Sequence, residues 1–213
     1  MIILGRFNGP PGSGNGGYSA GVFAAGLPVE VTLRRPPPLD TPLTTADDEV
    51  RTPDGTVVAT LAPADPITVA VPPVSPAEAV TAAATYQGFT DHPFPSCYVC
   101  GPEHPDGLHI FPGQLPGDRT AAPWTVPPEV TVPTVWAALD CPGGWAIIGP
   151  GRPYVLGRIA AQVRTLPVPD EQCVVVGALA AAEGRKALVH TALYGPDGAE
   201  LARARATWIA VTV

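Results

Sequence analysis

Apolar residues along this chain fall into two kinds of run. One kind is strand-like, within "PVEVTLRRPPPLDTPLTTADDEVRTPDGTVVATLAP" (28–63) and again in "YVLGRIAAQVRTL", "QCVVVGALAAA", "RKALVHTALY" and "AELARARATWIAVTV". Apolar runs bounded by Pro, Asp and Gly predict strands, with Pro53-Asp54-Gly55 as a tight hairpin turn. "GGYSAGVFAAGL" (16–27) and "TVPTVWAALDCPGGWAII" (131–148) are small and apolar on every side, and predict two buried helices. "SPAEAVTAAATY" (75–86) predicts a shorter helix, with Ser75 as its cap and Pro76 in its first turn. "SCYVCGPEHPDGLHIFPG" (96–113) reads as strand, turn, strand.

Composition refines this picture at two points. The chain has 29 Pro and 23 Gly among 213 residues, a content that would signal disorder without a pattern. Here the prolines stand at the ends of apolar runs, in "RRPPPLDTP", "VAVPPVSP" and "TLPVPD", where they punctuate a sheet. A hydrophobic content of 46% is ample for a packed core. A net charge of −7, evenly spread, argues against nucleic acid or an anionic membrane surface as partner. No apolar run approaches the roughly 20 residues of a membrane span, and the first residues lack the layout of a signal peptide. Four cysteines at irregular spacing do not form a disulfide framework, so reduced thiols and a cytoplasmic protein are expected.

The two halves of the chain resemble each other. "RRPPPLD" (34–40) lies over "RTLPVPD" (164–170), and "PDGTVVA" (53–59) over "PDGAELA" (196–202). Each follows a helix of small apolar residues. The interval from Asp170 to Pro196 is longer than that from Asp40 to Pro53, with room for one more strand and turn. The expected organisation is an abbreviated N-terminal half, residues 1–90, fused to a C-terminal half, residues 91–213, with a boundary in the Pro-rich stretch at 88–95.

"GPPGSGNG" (9–16) approaches the phosphate-loop pattern G-x-x-x-x-G-K-[ST], but Asn15 stands at the Lys and Gly16 at the hydroxyl. Both groups that would hold phosphate and metal are therefore missing, and nucleotide hydrolysis is not expected. The glycines still allow a ligand to approach a helix N-terminus, where free N–H groups and the helix dipole favour negative charge.

Three stretches carry a resemblance to hotdog-fold acyl-CoA thioesterases, in which an antiparallel sheet wraps a central helix. "NGGYSAGVFAAGL" (15–27) resembles the His-Gly-Gly opening of that helix in phenylacetic-acid-pathway thioesterases. "CYVCGPEHPDGLHIF" (97–111) is similar to their Cys-Gly…Gly-Leu strand entry. "VWAALDCPGGWAII" with "GRIAAQVRTLPV" resembles the second helix and next strand of double-hotdog members. The resemblance implies an α+β double hotdog with an abbreviated first repeat, acting without cofactor on an acyl-CoA or related acyl thioester, and a homodimer. Asn15 departs from the His, and Ala24 stands where a single-hotdog helix would carry an acid. One of two pseudo-symmetric sites is then expected to be inactive.

Asp140 is the principal catalytic candidate, as the sole acid of an apolar run. Such a carboxylate is costly to bury unless it is paired or functional. Pro142 should bend or end the helix beside it. Its expected role is base for water or nucleophile on a thioester carbonyl; otherwise it caps a neighbouring element or faces solvent. Asn15 holds water or a substrate carbonyl, caps the helix, or does both. Gly16 and Gly17 are the expected oxyanion donors. Arg34, Arg35, Arg152, Arg158 and Arg164 are candidates for coenzyme A phosphates or solvated strand positions. Cys97, Cys100, His104 and His109 form a C-x2-C-x3-H-x4-H pattern, yet a strand would direct the cysteines to opposite faces, and no metal is expected. Cys141 should resist ionisation beside Asp140, and Cys173 is read as strand packing. Two rival readings stand beside hydrolysis: a non-catalytic acyl-binding protein, and a hydratase or dehydratase, which would want a His that neither helix has.

Overall fold

The computed structural model describes residues 1–149 and 152–211. Ten strands form one sheet: β1 (Val29–Leu33), β2 (Thr44–Ala46), β3 (Glu49–Arg51), β4 (Val57–Pro63), β5 (Gly113–Leu115), β6 (Arg119–Thr125), β7 (Tyr154–Val163), β8 (Gln172–Glu183), β9 (Lys186–Tyr194) and β10 (Glu200–Ala210). Their order is β2-β3-β4-β1-β7-β10-β9-β8-β6-β5, with every neighbouring pair antiparallel. Four α-helices stand among the described residues: α1 (Gly16–Ala24), α2 (Pro76–Ala83), α3 (Val132–Ala138) and α4 (Cys141–Trp145). This large antiparallel sheet with few helices fits a hotdog-like α+β fold.

The order of elements repeats. After α1 the chain runs through β1 to β4, which lie in the order β1-β4-β3-β2; after α3 and α4 it runs through β7 to β10, in the order β7-β10-β9-β8. Hydrogen bonds repeat as well. The Arg34 and Arg35 N–H groups both donate to the Val58 carbonyl, and those of Arg164 and Thr165 to the Leu201 carbonyl. Asp54 accepts from the Thr56 N–H, and Asp197 from the Ala199 N–H, each in a turn whose glycine has positive φ (Gly55 at 84°, Gly198 at 80°). Asp40 and Asp170 both adopt left-handed backbone, at 50° and 66°. The two strand sets meet where β1 pairs with β7. There Glu30 forms ion pairs with Arg158 and Arg205 at 3.2 and 3.3 Å.

Several local expectations need correction. Residues 96–113 contain no strand before Gly113; prolines and tight turns leave only isolated bonds, such as those from Leu108 and Ile110 to the carbonyls of Tyr98 and Val99. The interval from Asp170 to Pro196 holds two strands, as does that from Asp40 to Pro53, so its extra residues lengthen β8 and β9 instead of adding a strand. β5 and β6 were not anticipated, because the Gly- and Pro-bearing run around them lacks a clean alternation. The second helix is divided into α3 and α4. The final strand-like run extends to Val213, of which 212 and 213 lie outside the described residues. α2 begins as expected, with Ser75 and Glu78 in a capping box and Pro76 in the first turn. It packs its Ala79 and Ala82 over Ala121, Val174 and Val176 of β6 and β8.

α1 and α3 pack closely, and small residues allow it. A Cβ at Gly21 would lie 2.7 Å from Pro133 Cα and 2.9 Å from Trp136 Cβ. Glycine costs about 1 kcal/mol of helix propensity relative to alanine, whereas overpacking costs about 1–3 kcal/mol. Gly21→Ala is therefore expected to lower stability by up to about 2 kcal/mol despite the better helix former. Thermal and urea unfolding check this, and a melting temperature at or above wild type would contradict the close packing.

Candidate active site

Asn15 is the N-cap of α1, its Oδ1 accepting the Tyr18 N–H at 2.9 Å. The opposite edge of the same amide faces a different task. Nδ2 lies 3.4 Å from Asp140 Oδ2 and 3.8 Å from Cys97 Sγ. The Gly17 N–H donates to the same Oδ2 at 2.9 Å. Asn15, Gly17 and Asp140 thus meet, although 125 positions separate the outer two.

Asp140 stands at the break between α3 and α4. Pro142 has no N–H and would clash with the carbonyl of Ala138, so the helix cannot continue. The carbonyls at the break find partners on the sheet: Thr191 Oγ1 donates to Leu139 O and Thr120 Oγ1 to Pro142 O, both at 2.7 Å. Asp140 is 2% exposed, and its Oδ1 has no hydrogen-bond partner among the described residues. Burial pushes its carboxyl up to about 7; the Gly17 N–H opposes this, the Cys97 sulfur adds to it, and the Asn15 amide opposes it.

The two glycines have different positions. The Gly17 N–H is engaged by Asp140, and a Cβ there would lie 2.5 Å from Asp140 Cβ and 2.7 Å from Trp136 O. The Gly16 N–H makes no hydrogen bond among the described residues, and Gly16 lines a cavity of about 280 Å³ together with Asn15 and Asp140. The cavity wall is mostly apolar, with Leu156, Trp145 and Trp208 among its residues. Exposed Arg34 and Arg35 bring positive charge to it. Arg158 and Arg164 are instead paired with Glu30 and Glu200, and Arg152 lies over the Tyr154 ring at 5.5 Å.

Four further residues of this cavity escaped the sequence reading as a group. Cys97, Cys100 and Cys141 are buried with their sulfurs all within 4.8 Å of one another. His92 Nε2 lies 3.4 Å from Cys100 Sγ. The expected Cys-Cys-His-His pattern does not assemble. His104 is held by the Arg6 carbonyl and the Asp106 N–H, and His109 by the His104 carbonyl. The partner of the two nearby cysteines is Cys141, adjacent to Asp140. Its thiol does resist ionisation, chiefly through the Cys100 and Cys97 thiols and burial, not through the carboxylate beside it. The Cys97 thiol is held well below its ordinary range by hydrogen bonds from Cys100 and Cys141. The signal available in the sequence was the Cys-x2-Cys pair itself; nothing in the spacing pointed to Cys141.

No family model matches the sequence, and no curated protein matches it. Among solved structures, a thioesterase-superfamily protein is 17% identical, with a TM-score of 0.49, over 55% of this chain and 61% of its own. The chain thus spans about three-fifths of that protein's length. A hypothetical thioesterase from Streptococcus pneumoniae with coenzyme A is 11% identical, with a TM-score of 0.42, over 44% of this chain and 82% of its own. The PaaI protein of E. coli, from the phenylacetic acid degradation operon, is 9% identical, with a TM-score of 0.45, over 49% of this chain and 80% of its own. No helix among the described residues is long and apolar enough to cross a membrane.

Capping and site roles of Asn15 are separable. Asn15→Ala is expected to cost about 1 kcal/mol of stability, and Asn15→Ser, which keeps a capping oxygen, most of the way back to wild type. Unfolding in urea measures both, and an alanine variant as stable as wild type would remove the capping role.

Proposed function

We propose that the chain hydrolyses an acyl-CoA or a related acyl thioester in the cavity between the start of α1 and Asp140. The observation that carries this reading is the state of the Asp140 carboxyl. One oxygen is fixed by the Gly17 N–H and the Asn15 amide, while the other is buried with no partner among the described residues, and Asp140 lines the cavity. Such a group is oriented and basic enough to take a proton from water near neutral pH. In this reading Oδ1 removes a proton from water as its oxygen adds to the thioester carbon. The carbonyl oxygen becomes an oxyanion that accepts from the Gly16 N–H at the positive end of the α1 dipole. Collapse breaks the C–S bond, and Asp140 returns the proton to the leaving thiolate. The acid and the free thiol are the products, and no cofactor is required. Attack by the carboxylate itself, through an anhydride, is the alternative course on the same residues.

The cavity's modest volume suits an acyl group and its thioester with the carrier outside, where Arg34 and Arg35 would meet phosphates. The same proposal includes a double-hotdog organisation: an abbreviated half, residues 1–90, and a second half, residues 91–213, fused into one unit. The repeated strand order and the paired hydrogen bonds at Val58 and Leu201 support it. Assembly as a homodimer in the cytoplasm belongs to the same reading.

One observation favours a second reading, an acyl-binding protein without turnover: the Gly17 N–H, expected at the oxyanion, is already engaged. A hydratase or dehydratase ranks lower. His92 lines the cavity, but its Nδ1 accepts the Phe94 N–H and its Nε2 contacts Cys100, leaving neither nitrogen for substrate.

An acyl-CoA panel with thiol release as the readout tests the proposal. Asp140→Asn is expected to lower kcat by about 10²–10⁴-fold while the protein melts at or above the wild-type temperature. Binding without turnover in both proteins would favour the acyl-binding reading. Undiminished turnover in the variant would exclude Asp140 from the chemistry.

A further inference from the structure

Three cysteines from two distant parts of the chain converge on one buried point. Cys97 and Cys100 belong to an irregular stretch, residues 90–112, and Cys141 opens α4. Their sulfurs lie mutually within 4.8 Å, with Cys97 and Cys141 at 3.9 Å. A tetrahedral zinc with Zn–S bonds of about 2.3 Å sets neighbouring sulfurs about 3.8 Å apart, so small side-chain adjustments would close the set on an ion.

The surroundings of the sulfurs point the same way. Trp145 Nε1–H donates to Cys100 Sγ at 3.4 Å, and Asn15 Nδ2 to Cys97 Sγ at 3.8 Å. His92 adds a third donor. Its Nδ1 accepts the Phe94 N–H at 2.8 Å, so a neutral ring carries its proton on Nε2, which is shared between the Cys100 carbonyl oxygen at 3.2 Å and Cys100 Sγ at 3.4 Å. N–H groups aimed at sulfur stabilise thiolate and are the usual outer shell of a thiolate-ligated metal. Three buried thiolates would repel one another; a divalent cation between them cancels most of that charge. The stretch 90–112 has no secondary structure of its own, and a loop this long in a compact domain wants a tether.

We propose that Cys97, Cys100 and Cys141 form a binding site for zinc, with His92, Trp145 and Asn15 as hydrogen-bond donors to its sulfurs and a fourth position on the cavity side. All three cysteines line the cavity, so the open position would accept water or a sulfur or oxygen atom of a bound molecule. Soft sulfur donors select zinc over magnesium or calcium. The site ties residues 90–112 to α4 beside Asp140.

Metal analysis of the full chain purified without chelator tests this, with about one zinc per chain expected. Cobalt loading should give a sulfur-to-cobalt charge-transfer band and the visible bands of a tetrahedral site. Cys97→Ser, Cys100→Ser and Cys141→Ser should each lose the cobalt spectrum, whereas Cys173→Ser keeps it. His92→Ala should weaken zinc binding by about 10–100-fold without abolishing the spectrum. Circular dichroism confirms folding of each variant. Should Cys141→Ser fail to fold, thiol titration of the wild type with and without zinc decides, since zinc must protect three thiols. Lack of zinc after both purification and reconstitution, or a cobalt spectrum retained in the folded cysteine variants, would overturn the site. Loss of the spectrum in His92→Ala would overturn the three-thiolate assignment.

Discussion

The arrangement depends on an interrupted helix held in place by two threonines. Ending a helix inside a core exposes carbonyls that water cannot reach, and each such group left unsatisfied costs about 1–3 kcal/mol. Here Thr191 and Thr120, from different strands, take the carbonyls of Leu139 and Pro142. The break is thereby fastened to the sheet on both sides of Asp140. Asp140 can point across to α1 instead of lying along a continuous helical surface, and Cys141 turns toward the loop that carries Cys97 and Cys100. Glycines on both partners let the short helix settle: a Cβ at Gly177 would lie 2.3 Å from Pro142 O, and one at Gly143 would lie 2.6 Å from a Val189 methyl.

The opposing element meets the same constraint from its own side. α1 is nine residues long and three of them are Gly, too short and too glycine-rich to form a strong helix alone, and its stability comes from burial and from the Asn15 cap. Small size is what brings its first turn within hydrogen-bond distance of a carboxylate on another helix. A larger residue at position 17 would collide with Asp140 and with the Trp136 carbonyl. Local helix propensity is sacrificed for a contact between a backbone amide and a buried acid.

What could be read from the sequence follows from how local the cause was. Asp140 stood out because a lone acid in an apolar run is costly wherever the run folds. Asn15 and its glycines stood out because capping and close approach need particular residue types. The long strands β7 to β10 announced themselves as apolar runs between turn residues, and α2 by its cap. The stretch around Cys97 misled because its apolar residues alternate briefly, while prolines and turns deny them a ladder partner. The approach of Cys141 to Cys97 and Cys100 had no sequence signal, since it depends on a tertiary crossing between a loop and a helix break. The engagement of Gly17 by Asp140 was equally hidden, because it fixes which of two adjacent amides is still available.

The seam between β1 and β7 carries a consequence for how the molecule can vary. Two strand sets of like order meet there within one polypeptide, so the sides of the junction are encoded separately. A pair of identical chains would have to place the same residue on both sides of its axis, and any specialisation would appear twice. In this molecule α1 can offer amides and no acid while the α3–α4 break supplies the acid and a sulfur. Continuity of the chain releases the two sides from symmetry and lets each carry its own residues.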